Sequence, residues 1–259
     1  MILTDEVVLI TGVGPGLGTQ LALRAAAEGA KVVVAARSSD LLDRVAKEVI
    51  DAGGEAVAVP CDVRRTEDVQ RLVATAVDRF GTITGLVNSA YSHPGLTDLL
   101  DTPDEQLRRA MDVILHGTLM VTREVVPHMK AAGRGSVVNI GTMATRKPHC
   151  GEGAYAVAKA VMAMATKYLA LELGGAGIRV NQAVMGWLDG PAVRHYLSRT
   201  ADQRGVSEQV VYDEIAAGIP LRRLPTDEAC GGAVLYLLSR YASEVTGATL
   251  DVNGGEYLA

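Results

Sequence analysis

Tyr155 and Lys159 stand four residues apart in GAYAVAKAVMAM, a stretch otherwise made of Gly, Ala, Val and Met. Residues at that spacing share one face of a helix, so a phenol and an ammonium would point together at whatever the face meets. The pairing suits proton transfer. A phenol ordinarily titrates near pH 10, too high for a base at neutral pH, and lowering it by about three units takes about 4 kcal/mol. One cation about 4 Å away, in a partly buried setting, supplies roughly that much. An isolated Tyr–Lys pair is more often two amphipathic side chains reaching for solvent. The small apolar residues around this one favour the chemical reading.

Such a pair needs a frame. Short Val-rich runs at 7–11, 31–35, 56–60, 85–88, 136–140, 178–184 and 249–252 predict seven strands. Helical patterns at 17–28, 40–52, 66–80, 103–131, 153–173 and 226–238 alternate with them. Strands that are nearly continuous in apolar residues are covered on both faces. The βαβ rhythm therefore predicts one α/β domain, a Rossmann-like doubly wound parallel sheet with helices on both faces. Residues 191–218 interrupt the rhythm with a helical pattern, polar on one side. Insertions at strand ends often cover a ligand crevice, and this one is expected to do so.

Composition narrows the partners. At 259 residues with 48% hydrophobic and 21% charged residues, the chain can bury a large single core. Its 25 basic and 30 acidic residues give a net charge of -5, with no basic run to favour nucleic acid or an anionic membrane. No apolar run is long enough to span a bilayer. Cys61, Cys150 and Cys230 fit no zinc or disulfide spacing and read as idle thiols in a reducing compartment. The N-terminal apolar run lacks a basic leader and meets a glycine turn at once, so a strand and a cytoplasmic location are expected. No metal-binding set is evident.

TGVGPGLG, residues 11–18, joins the first strand to the first helix. Gly12, Gly14, Gly16 and Gly18 would allow a tight turn and close approach of a ligand backbone, and the N–H groups near Leu17 could receive a pyrophosphate. Alone this is a weak signal; between a strand and a helix it is a stronger one.

The spacing resembles that of the short-chain dehydrogenases/reductases in their classical form, and the resemblance runs along nearly the whole chain. CDV at 61–63 looks like the segment in which Asp62 and Val63 meet the adenine. NSAY at 88–91, with Asn88 and Ala90, stands where the family has N-N-A-G. YAVAK matches Y-x-x-x-K, and IRVN at 178–181 and VTGATLDVNGG near the end are also similar. The resemblance implies a nicotinamide cofactor, Tyr155 as general acid or base, and Lys159 holding the nicotinamide ribose and activating the phenol. It puts Thr142 in place of the active-site Ser, and Gly186 and Leu188 beside the nicotinamide. It also implies a homotetramer or homodimer built on long central helices.

An acid after the second strand would favour NAD. Here Ala36 stands there, followed by Arg37 and Ser38, which could hold a 2′-phosphate. NADP(H) is preferred, with NAD(H) the other candidate. Several positions depart from the pattern: Ile114 for a relay Asn, Tyr91 for Gly, Met185 for Pro and Gly190 for a Thr that contacts the carboxamide. Tyr91, His93, Met143, His149, Met185, Trp187 and the insertion around 193–212 are candidates to line a substrate pocket with Thr142, and Met with Trp suggests an apolar cyclic or aromatic ketone. His93 reads as an ordinary loop residue and His116 as a helix-surface one. The expected activity is hydride transfer between a secondary alcohol or ketone and NAD(P)(H). The departures keep a second reading open: a dinucleotide-binding protein with little or no turnover, in a regulatory or assembly role. An epimerase or dehydratase that uses its cofactor transiently is disfavoured by the short chain.

Overall fold

The computed structural model describes residues 1–258. Seven strands form one parallel sheet: β1 (Val7–Thr11), β2 (Lys31–Ala36), β3 (Glu55–Pro60), β4 (Gly85–Asn88), β5 (Gly135–Thr142), β6 (Ile178–Met185) and β7 (Thr249–Val252). Their order is β3-β2-β1-β4-β5-β6-β7. The direction of winding reverses between β1 and β4, where Thr11 lies opposite Asn88. A crevice opens at such a switch point, beyond the carboxyl ends of the strands.

Helices cover both faces. On one lie α1 (Leu17–Ala27), α2 (Ser39–Asp51) and the late helix Asp227–Leu238; on the other lie α3 (Thr66–Phe80), α4 (Asp104–Met111), α5 (Thr118–Ala131) and α6 (Gly153–Leu173). The inserted segment forms α7 (Pro191–Arg204) and α8 (Glu208–Ala217), divided at Gly205, which has φ 64°. The late helix is α9. Every residue of β1 is buried, and its β-branched side chains feed both cores.

One expectation needs correction. The pattern at 103–131 predicts a continuous helix, but Pro103 only caps it and a π-helical turn, Asp112–Gly117, separates α4 from α5. A Cβ on Gly117 would stand 2.6 Å from Val63 Cγ2, so the chain passes close to the end of β3 there. A one-residue widening of a helix leaves no mark on a pattern of period 3.6, and such turns gather at functional sites. This one directs Ile114 into a buried cluster with Ala110, Ala158 and Met162, against Tyr155.

A buried polar chain locks β4, β5 and α6 together. Asn88 Nδ2 donates to Asn139 Oδ1 at 2.9 Å and to Thr122 Oγ1 at 3.2 Å, and Asn139 Nδ2 donates to Thr166 Oγ1 at 2.9 Å. Hydrogen-bonded interior amides of this kind fix one register. They set the height of α6 against β5, and so the position of Tyr155 relative to Thr142. The opposite side of α6 exposes Val157, Val161, Met164, Tyr168 and Leu171, a stripe at spacings of three and four.

Candidate active site

The switch-point crevice contains three adjoining cavities. The first, about 750 Å³, includes Gly12, Gly14, Arg37, Ser38, Asp62, Val63 and Ala90 in its wall. The second, about 590 Å³, is bounded by the glycine turn, Thr142, Tyr155, Lys159, Gly186 and Leu188. The third, about 490 Å³, is framed by Thr142, Met143, His149, Met185, Trp187 and Tyr196. Tyr91 and His93 border all three. The candidate site residues thus gather at one place, except Asn88, which lies beneath the crevice in the polar chain with its Oδ1 unpaired.

Lys159 is 2% exposed, and its Nζ donates to the Ile140 carbonyl at 2.5 Å. It lies 5.9 Å from the centre of the Tyr155 ring. Burial pushes the Lys159 ammonium down to about 7. Burial likewise raises the Tyr155 phenol, helped by Tyr91 and Glu152 and opposed by a hydrogen bond with Thr142. In the cofactor-free protein burial works against the expected activation of the phenol by the ammonium. Withdrawing both groups from water penalises both charged forms, and that penalty exceeds the expected help from ammonium to phenol.

His93 packs on Tyr155 with ring centroids 4.9 Å apart, and Tyr91 approaches it edge-on at 6.3 Å. Burial lowers the His93 imidazolium below its usual range, and its Nδ1 accepts from the Gly95 N–H at 3.1 Å. The sequence offers His93 as a residue of the pocket above Tyr155, but nothing in its spacing shows that the two rings stack. It does not single out Leu96 and Glu152, which also border the third cavity, whereas His195 and Tyr196 lie in the candidate stretch 193–212 and do border it. Tyr196 stacks on Trp187 at 5.2 Å, which brings α7 over the opening. Tyr212, the last residue of the candidate stretch 193–212, instead joins the small core under α8 and accepts from the Leu224 N–H. His116 is exposed.

The glycine turn fits a dinucleotide. Gly12 has φ 72°, and a Cβ there would collide with the backbone at Ala90. A Cβ on Gly14 would meet nothing within 4 Å, so the turn presents bare backbone to the cavity. Beyond it, Asp62 is held by Arg64, whose Nε donates to Oδ1 at 3.0 Å, and that contact keeps the carboxyl below its usual range. Among the described residues, Arg37 and Arg109 have no carboxylate partner, and both border the first cavity. Gly190, where a Thr was expected, has a steric reason: a Cβ there would collide with Asp227 Oδ2. Cys61 and Cys230 are buried, with thiols pushed up to about 12 and about 11. No group of three or more His, Cys, Asp or Glu able to hold a metal occurs among the described residues.

A family model described as enoyl-(acyl carrier protein) reductase matches residues 12–256. The chain is 35% identical over 254 residues to dehydrogenase/reductase SDR family member 4 of Bos taurus, covering 98% of this chain and 88% of that protein. Among solved structures, NAD+-bound xylitol dehydrogenase superposes with a TM-score of 0.90 at 28% identity, over 98% of this chain and all of that one. A variant of actinorhodin polyketide ketoreductase with NADPH superposes at 0.90 with 32% identity, over 99% of each chain.

Proposed function

The chain belongs to the short-chain dehydrogenase/reductase family and is an oxidoreductase that uses a nicotinamide cofactor; from that premise we propose that it interconverts an apolar cyclic or aromatic ketone and its secondary alcohol, with NADP(H) preferred. One observation carries this reading: Thr142 and Tyr155 converge between a glycine-lined cavity and an aromatic one.

When bound, the nicotinamide supplies or accepts the hydride. The chain's own groups do the rest. Thr142 orients the substrate oxygen by its hydroxyl, while the methyl fixes the rotamer. Tyr155 gives that oxygen a proton, or removes one in the reverse direction. Burial raises the pKa of the phenol, which holds its proton until a substrate oxygen accepts it. Lys159, anchored on Ile140, supplies positive charge and hydrogen bonds to the ribose side of the cleft. Met143, Met185, Trp187 and Tyr196 exclude water from the substrate, and α7 forms the cover.

The cofactor preference rests on Arg37 and Ser38 beside the first cavity, with no acid at the end of β2. A guanidinium without a carboxylate partner favours a 2′-phosphate. The exposed stripe on α6 supports self-association into a dimer or tetramer. Ile114 favours the second reading, a dinucleotide-binding protein with little turnover, because it puts an apolar side chain where the family relay needs a polar one. Mixing the protein with NADPH and a panel of cyclic and aromatic ketones decides between them. Cofactor oxidation supports the enzyme, and tight binding with no oxidation across the panel supports the second reading.

A further inference from the structure

Asp227 is the first residue of α9 and is 8% exposed. That helix does not need it as a cap, since Thr226 already accepts from the Ala229 N–H at 3.1 Å. Its carboxylate turns instead toward the start of α1. Asp227 Oδ2 lies 2.9 Å from where a Cβ on Gly16 would stand, and the same oxygen excludes a side chain at Gly190. Gly16 is the residue before α1 and has no side chain to cap it. The N–H groups there attract an anion, and the carboxylate occupies that place within the cavity shared with Tyr155 and Lys159.

Resting on the reading of this cleft as a dinucleotide site, we propose that Asp227 holds the diphosphate position at the start of α1 and yields it on taking up a proton, so that dinucleotide binding and protonation of Asp227 are coupled. Two anions cannot share one set of backbone donors in a half-buried site without a large penalty. The surrounding charges do not relieve it. Asp189, in the loop after β6, adds negative charge, and its own partner is Arg194 of α7 at 2.5 and 2.8 Å. Glu228 of α9 pairs with Arg24 of α1. Glu152, His93 and Lys159 border the same cavity. Among the described residues no cation pairs with Asp227. Burial and Asp189 raise its carboxyl above the ordinary range, with the Leu17 N–H pulling the other way. The absence of a side chain at Gly190 follows from the same arrangement: the space belongs to Asp227.

The test is calorimetry of NADPH binding in buffers of different ionisation heat, between about pH 5 and about pH 6, on the acid side of the Lys159 titration that both chains share. The wild type takes up more protons than Asp227→Asn, and its affinity falls by up to about tenfold per pH unit as pH rises. The variant binds more tightly at the upper end, with a flatter profile. Equal proton counts and equal pH slopes overturn the coupling. Should the variant not fold, the carbon-13 shift of the Asp227 carboxyl, followed in the wild type with and without NADPH, reads the same coupling directly. A titration that moves up with NADPH supports the proposal, and one that stays in place overturns it. Binding of neither NADPH nor NADH by either chain at any pH defeats the dinucleotide reading itself, a result distinct from binding without proton uptake.

Discussion

Lys159 Nζ donates to the main-chain carbonyl of Ile140 at 2.5 Å, one turn of α6 from the Tyr155 phenol. The ammonium is therefore tethered to the end of β5, the strand that also supplies Thr142. Sheet and helix each contribute part of the proposed proton-transfer apparatus, and one buried amine ties them together.

That cation costs the cofactor-free protein stability. Its folded acid constant, about 7, lies below the ordinary 10.5. Above pH 7 the unfolded chain holds a proton that the folded one has lost, so stability rises with pH from about 7 to about 10.5; below 7 the full penalty applies. Lys159→Met is expected to melt at a higher temperature than the wild type at pH 6, with the gain shrinking toward pH 10, while turnover falls at least about a hundredfold. Thermal melts across pH check the first part and steady-state rates the second. A variant less stable than the wild type at pH 6 contradicts the burial argument.

Arg37→Ala should weaken NADPH binding by about tenfold to a hundredfold, the range for losing one charge-assisted hydrogen bond, and leave NADH nearly unaffected. Fluorescence titration of both cofactors measures it. Equal losses for the two would remove the assigned 2′-phosphate contact.

Ile114 fills an apolar pocket between the π-helical turn and α6. Ile114→Asn buries an amide there and should cost about 1–3 kcal/mol, against about 0.5–1.5 for Ile114→Val. Denaturant unfolding compares the two. An Asn variant as stable as the Val variant means that the pocket supplies a hydrogen-bond partner or admits water.

Val161 and Met164 belong to the exposed stripe on α6. If that stripe joins two copies, Val161→Glu with Met164→Lys shifts sedimentation toward the monomer. An unchanged sedimentation coefficient would place the contact elsewhere.

Much of this is legible in the sequence, for identifiable reasons. Strands such as β1, β4 and β7, and helices α3 and α6, begin and end where turn residues and periodicity say, because local chemistry and burial agree there. The glycine turn, Tyr155 and Lys159 can be read because their spacing is itself the signal, and Thr142 because the resemblance puts it where the family has its Ser. The π-helical turn at Asp112–Gly117 cannot, since a single widened turn is invisible to a periodic pattern. Asp227 is hidden for another reason, and so is the stacking of the pocket candidate His93 on Tyr155. Each reaches the site by tertiary contact alone, Asp227 across two helix starts and His93 by stacking on Tyr155. The protonation of Tyr155 escapes the sequence because the pairwise attraction of two charges can be reckoned from spacing, whereas the loss of water around both cannot.

The most direct measurement is reduction of an accepted ketone by NADPH with wild type and Tyr155→Phe, with cofactor affinity measured alongside. The account predicts a turnover loss of at least about a hundredfold at unchanged NADPH affinity. Turnover in the Phe variant close to that of the wild type would show that the proton comes from another group, and the assignment of Tyr155 would be wrong.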